Sequence, residues 1–437
     1  MLRRAFLGSG MASALGAAAK TRANVIIATA DNLGYGDMGC YGNTAIRTPH
    51  LDRFARDGVR FINFYTASPT CTASRAALLT GRHPVRYGLN YQLSARENQS
   101  GIGLPHTERL LPQYLKPHGY RTACIGKWNL GFAEGSRPTE RGFDEFLGLR
   151  SGNFDYNTHL YRGEHDLYKG VEPFHAEGYS TDLFADAACD FVRRSAGSPF
   201  FLYLPFNAPH YESDANTPGK KGVWQAPAKY FDTYGYSPDI TDPKKRYQAV
   251  VTALDDGFGR VMAQLDRLRL AENTLVFFFS DNGAFMTPGH GLEVAANRPL
   301  RGGGVTCWEG GIRVAAMARW PGRTKPGTVC NELLSSMDLL PLALRAAGEG
   351  TPGNARLDGR DPSATIAGKK SPHEALFFVW ERQQAVRHGK WKLIRTVGQP
   401  WQLFDLAADT GETNDVAAAH TPVVRDLGLR FARWSKV

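Results

Sequence analysis

The sequence predicts an α/β fold: a central mixed, mostly parallel sheet flanked by helices, then a small C-terminal antiparallel sheet with a terminal helix. Three observations carry this. Short, wholly apolar runs, such as NVIIATA at 24–30, FFLYL at 200–204 and TLVFFF at 274–279, have the length and continuity of strands buried on both faces. Segments of helical periodicity separate these runs, the alternation of a sheet covered by helices. Beyond residue 373 the pattern changes to short strands and turns.

The elements follow in order. Asn24–Ala30 is the first buried strand. Thr48–Asp57 reads as a helix, with Thr48 at the N-cap and Pro49 at its first position. Val59–Tyr65 is β-prone, Thr107–His118 is helical, and Tyr120–Ile125 is a strand. Thr181–Arg194 is an amphipathic helix, and Lys244–Leu270 is a long helix before the strand at 274–279. Ile312–Ala318 reads as a strand and Ser336–Ala347 as a helix. Residues 350–373, rich in Gly, Pro, Ser and Thr, read as a linker. Ala375–Trp380, Gln384–Arg387, Trp391–Thr396 and Gln402–Asp405 are short strands, and Thr421–Trp434 is a closing helix. The expected organisation is an N-terminal segment at 1–23, a main domain at 24–349, the linker at 350–373 and a small subdomain at 374–437.

Composition narrows the class. The 437 residues are 42% hydrophobic and 22% charged, ordinary globular usage that excludes disorder, collagen and coiled coil as global descriptions. The net charge of +10 favours anionic partners. The basic runs Lys220-Lys221 and Lys244–Arg246 are too short for a nucleic-acid-binding stripe. Six cysteines in a chain of this length make no disulfide framework. Arg3-Arg4, the Gly/Ala-rich stretch Phe6–Ala19 and the small residues Ala17–Ala19 form an export signal of twin-arginine type. A Sec signal and an amphipathic terminal helix are the alternatives. No other run approaches 18 apolar residues, so no stable membrane insertion is expected.

Asp31, Lys127, His210 and Asp281 each follow an apolar strand within a few residues. Ligands of open α/β sheets bind beyond the carboxyl ends of strands, so four distant segments are expected to meet there. Asp31-Asn32 and Asp281-Asn282 are two carboxylate–amide pairs, a donor set that suits a hard divalent cation. Ser68–Arg82 (SPTCTASRAALLTGR) sets Cys71 at a helix N-terminus four residues before Arg75, which predicts a lowered thiol pKa.

That segment resembles the signature of the type I sulfatases, C/S-x-P-S-R-x-x-x-L-T-G-R. NVIIATADNLGYGD at 24–37 is similar to the family's first strand and Asp-Asp-x-Gly turn. GKWNLG at 126–131 resembles Gly-Lys-Trp-His-Leu-Gly, Ala208-Pro209-His210 an Ala-Pro-His element, and SDNG at 280–283 the second metal half-site. LRGGGVTCWEGGIRV at 300–314 resembles the Gly-Gly-Lys…Glu-Gly-Gly-x-Arg stretch. AVRHGKWKLI at 385–394 and LFDLAADTGET at 403–413 look like the C-terminal subdomain. The arylsulfatase A and N-acetylgalactosamine-6-sulfatase type looks nearest.

The resemblance implies an alkaline-phosphatase-like fold and hydrolysis of a sulfate ester, one on a sulfated sugar or glycan. A formylglycine-generating enzyme would convert Cys71 to formylglycine (3-oxoalanine), whose hydrate is the family's nucleophile. Calcium (Ca2+) would be held by Asp31, Asn32, Asp281, Asn282 and the modified Cys71. Arg75 would hold the hydrate, Lys127 would contact sulfate and leaving oxygen, and His210 would be the general acid. Ser151–His159 lies where the family builds substrate pockets, which makes Tyr156 and His159 sugar-contact candidates, with His290 a third near the metal loop. The implied location is periplasmic or secreted.

Four positions depart from the pattern: Ala73 stands for Pro, Asn32 for the second Asp, Asn129 for His and Gly304 for Lys. Loss of a general base typically costs ~10²–10⁴ in rate and loss of one preorganised donor ~10²–10³. Asn129 and Gly304 motivate one alternative beside the sulfatase, an impaired homologue that binds sulfated glycans; a phosphate mono- or diesterase on the same fold is another.

Overall fold

The computed structural model describes residues 22–94, 102–212, 223–286, 293–353 and 355–436. Its centre is a ten-stranded mixed sheet. Four neighbours in the middle run parallel: Thr274–Ser280, Asn24–Ala30, Phe200–Pro205 and Arg121–Ile125. Glu145–Leu149 continues the parallel set, and Ala316–Arg319 runs antiparallel beside Thr274–Ser280.

The three longest of these strands are buried at every residue because helices cover both faces. Ile26, Ala28, Leu202, Leu204, Val276 and Phe278 point to one face, under the helices Pro49–Asp57, Ser180–Arg194 and Pro243–Arg267. Val25, Ile27, Phe201, Tyr203, Leu275 and Phe277 point to the other, under Cys71–Thr80, Leu111–Leu115 and Leu339–Ala346. The alternation is the two-residue period of a strand read between two cores.

The C-terminal sheet is a four-stranded antiparallel meander, Ala375–Trp380, Gln383–His388, Trp391–Thr396 and Gln402–Asp405. Val386, Leu393 and Leu403 pack under Leu427 and Phe431 of the terminal helix Thr421–Trp434. Phe378, Trp380, Ala385 and Ile394 pack instead against Tyr65, Cys307 and Ile312 of the main body.

Several elements differ locally from the sequence reading. The expected helix over 107–118 is confined to Leu111–Leu115 and a 3₁₀ turn at Lys116–His118. Pro112 sets its start, and Pro117 lacks the N–H that would continue it. The expected strand at 312–318 begins only at Ala316, because Glu309–Ile312 forms a helical turn. Thr48 does not cap its helix: its hydroxyl oxygen accepts from Gly39 N–H at 2.9 Å. The orphan donors go to Asp255 of the long helix, which accepts from Leu51 N–H at 2.8 Å and His50 N–H at 3.1 Å. The stretch read as a linker is pinned to the body: Asp338 accepts from Arg360 N–H at 2.8 Å, and Asp358 from His83 N–H at 2.8 Å. All six cysteines are free. No helix among the described residues is long and apolar enough to cross a membrane.

Candidate active site

The four central strands end side by side, and each is followed within five residues by a buried polar residue. Asp31 follows Ala30, Asp281 follows Ser280, Lys127 lies two residues beyond Ile125, and His210 lies five beyond Pro205. Cys71 begins the helix Cys71–Thr80, which brings Arg75 one turn further on. All six are buried, with Asp31 and Lys127 at 0% exposure.

The contacts form one cluster. The Cys71 thiol donates to Asp31 Oδ1 at 3.3 Å. Lys127 Nζ donates to Asp31 Oδ2 at 2.6 Å. Arg75 Nη2 lies 2.7 Å from Asp281 Oδ2 and 3.6 Å from Asp31 Oδ2, so one guanidinium reaches both carboxylates. Its Nη1 donates to Lys127 O at 3.1 Å. The Asn282 amide donates to Asn32 Oδ1. Ligand atoms of Asp31, Cys71 and His210 lie within 4.8 Å of one another.

Electrostatics overturn one expectation. The Cys71 thiol pKa is raised, not lowered. Complete burial is the main cause and the Asp31 charge the next; with Asp281 they outweigh Lys127 and Arg75. Burial works against the Lys127 ammonium, yet Asp31 holds its pKa above the usual lysine value. Burial and the Asp31 charge raise Asp281. Burial, with Lys127 beside it, lowers His210 to about 3, so the imidazole is neutral near pH 7. Its Nδ1 lies 2.6 Å from Tyr211 O, a geometry in which Nδ1–H donates to that carbonyl and Nε2 carries the lone pair.

The residues present fit a hard cation. Two carboxylates and two amides converge, and Asn282 Oδ1 is buried with no hydrogen-bond partner among the described residues. Such an acceptor is costly to leave unmet, ~1–3 kcal/mol, and a cation would meet it.

Comparison with known proteins places this geometry. A sulfatase family profile matches residues 23–349. The chain belongs to the sulfatase family. It is 34% identical to the N-acetylgalactosamine-6-sulfatase of Canis lupus familiaris, over 96% of this chain and 83% of the relative. It is 33% identical to the steryl-sulfatase of Mus musculus, over 92% of this chain and 80% of the relative. Of solved structures, Ps i-CgsB in complex with k-i-k-neocarrahexaose superposes with a TM-score of 0.86 at 30% identity, covering 95% of this chain and 93% of that one. PsFucS1 sulfatase from Pseudoalteromonas sp. gives 0.79 at 27% identity, covering 95% and 90%. This sulfatase is thus a sulfuric ester hydrolase with the alkaline-phosphatase-like fold.

Not every candidate faces the cluster. Tyr156 is 1% exposed, stacks on Tyr179, and donates its hydroxyl proton to His210 O at 2.7 Å. It steadies the His210 loop in place of offering a free face to a sugar. His159 is also 1% exposed, its ring against Phe154. His290 lies outside the described residues. Sequence reasoning missed Asn153, whose amide donates to Tyr211 O at 2.8 Å and lies 3.3 Å from His210 Nδ1. It sits within the pocket stretch 151–159, so position alone could have raised it. Gly304 leaves no room for a longer side chain in place: an added Cβ would meet Gly283 O at 2.8 Å. A cleft of about 660 Å³ lies alongside, and Tyr247 lines both it and the small cavity at Asn32 and His210.

Proposed function

We propose that this chain hydrolyses the sulfate ester of a sulfated sugar or glycan, with calcium and a formylglycine made from Cys71. One observation supports this above all: Cys71, two cationic side chains and four oxygen-bearing side chains meet at the ends of adjacent strands. Relatives named for sulfated substrates favour the ester class. The hydrated aldehyde would supply a geminal-diol nucleophile where the thiol now stands, and calcium would polarise sulfate oxygens. Asp31, Asn32, Asp281 and Asn282 would hold the ion.

The chain's own side chains do the rest. Arg75, fixed by Asp281, directs positive charge at the Cys71 position. Lys127 stays protonated and offers N–H bonds to the sulfate and to the oxygen that leaves. Burial and Lys127 keep His210 neutral, and an anionic sulfate beside it would raise its pKa, which suits proton delivery to the leaving oxygen. The residues at 24–349 would form the catalytic domain, with 374–437 as its small partner across 350–373. Export through a twin-arginine signal at 1–23 is part of the same reading.

The test is co-expression with a formylglycine-generating enzyme, mass measurement of the Cys71 peptide, and assay of sulfate release from sulfated sugars. Conversion with calcium-dependent turnover, lost on chelation and in Cys71→Ala, is expected. Full conversion with no turnover on a broad panel would favour the impaired, glycan-binding homologue. Faster release of phosphate than of sulfate would favour the phosphoesterase.

A further inference from the structure

Asn129 stands where the family resemblance puts a His, and its surroundings give it a definite polarity. Backbone N–H groups can only donate, and two of them orient the whole chain of contacts. Thr72 N–H donates to Gln92 Oε1 at 3.1 Å. The other end of that amide is therefore Nε2, which donates to Asn129 Oδ1 at 2.9 Å. Leu93 N–H donates to Thr72 Oγ1 at 3.1 Å, so the Thr72 hydroxyl proton is left to donate to Asn129 Oδ1 at 2.8 Å. With Oδ1 accepting from both, turning the Asn129 amide would set N–H against N–H.

Asn129 Nδ2 is thereby left facing away with its N–H bonds. It has no hydrogen-bond partner among the described residues, and Asn129 is 0% exposed. An opening lies in front of it at Gly152, which is partly exposed. Among the described residues, and apart from its own chain neighbours, a Cβ built there would come within 4 Å of two atoms, Asn129 Nδ2 at 3.6 Å and Gln92 Nε2 at 3.8 Å. The site therefore shows an unmet donor and space for an acceptor.

We propose that Gln92 is a positioning residue that fixes Asn129 as a permanent hydrogen-bond donor, and that this donor takes an oxygen acceptor of the sulfated substrate beside Gly152. The proposal rests on the sulfate-ester reading above. The acceptor is an oxygen either of the sulfate or of the sugar. Unlike an imidazole, the amide donates at every working pH.

The test is titration calorimetry on the full chain with Cys71 unmodified, so that it reads binding without turnover. The probes are inorganic sulfate and N-acetylgalactosamine 6-sulfate. In Gln92→Glu a carboxylate oxygen faces Asn129 Oδ1, the Asn129 amide turns, and the donor is lost. Affinity at pH 7.5 should fall about tenfold or more, and Asn129→Asp, of nearly unchanged shape, should match it. Loss for both probes assigns the acceptor to the sulfate; loss for the sugar sulfate alone assigns it to the sugar.

The Gln92→Glu variant should then recover affinity as pH falls through the pKa of the introduced carboxyl, ~4.3 in water and higher when buried. The neutral acid accepts from Thr72 N–H and donates to Asn129, as the amide does. A merely structural role of Gln92 would show no such recovery. Affinities within twofold of wild type in both variants, or a Gln92→Glu loss that persists at low pH, overturn the proposal alone. Failure of the wild-type chain to bind either probe overturns the sulfate-ester reading and this proposal with it.

Discussion

Val305 lies in the loop that carries Gly304 past the cluster, and its backbone is left-handed at φ +64°. A β-branched residue pays ~1–2 kcal/mol for that conformation. Its N–H donates to Pro69 O at 2.9 Å, which holds the loop against the segment before Cys71. The side chain is 41% exposed, so little burial offsets the strain. Val305→Gly keeps the N–H and removes the clash, at an entropic cost of ~0.5–1 kcal/mol. The expected result is a gain of up to about 1 kcal/mol in urea unfolding; a loss would show that the side chain packs usefully. The place of Cys71 at a helix start was legible in the sequence. Its raised pKa was not, because Asp31 and Asp281 come from 40 and more than 200 residues away.

Two side-chain networks join the C-terminal sheet to the main body. His83, just past the signature helix, lies 3.2 Å from Phe377 O through Nε2 and accepts from Val85 N–H through Nδ1. That pairing requires the neutral ring with the proton on Nε2. Burial, with Arg86 also nearby, lowers its pKa to about 4 despite Asp358. The folded pKa lies below the unfolded value of ~6.5, so the unfolded chain binds the extra proton between those limits. The stabilisation is full above pH 6.5 and is lost as pH falls toward 4. His83→Gln should therefore flatten the stability-against-pH curve across this window, by at most ~1.4 kcal/mol per unit, in urea melts at several pH values. The second network centres on Lys392, 0% exposed, with Glu309 at 2.8 Å and Glu412 at 3.4 Å. Tyr65 donates to Glu309 at 2.6 Å from the other side. Lys392→Met leaves two buried carboxylates short of a cation, so a loss of ~3–5 kcal/mol is expected in denaturant unfolding. A loss below about 1 kcal/mol would show that Arg313 and Arg387 compensate.

Across the whole molecule, the site residues were legible where chemistry coincided with the end of a buried run. Asp31, Lys127, His210 and Asp281 each follow such a run, and the parallel sheet brings them together. Gln92 carried no such mark. Its role exists only in a ring of hydrogen bonds spanning 20 and 37 residues of sequence, and its neighbourhood has no strand or helix pattern. The enclosure of Tyr156 and His159 was equally hidden, since a loop's polarity does not reveal which of its rings turn inward. The sheet order also imposes a delay during synthesis. Asn24–Ala30 is made first, yet one of its two neighbours is finished roughly 250 residues later. At ~5–20 residues per second, ribosomal synthesis leaves that apolar strand unpaired on one edge for about 12–50 s. Cys71, made about 40 residues after that strand, waits through the rest of this interval and is 3% exposed once the sheet closes. Whatever reacts with this thiol has tens of seconds on the growing chain, and a molecule that misses the interval folds with its sulfur sealed in.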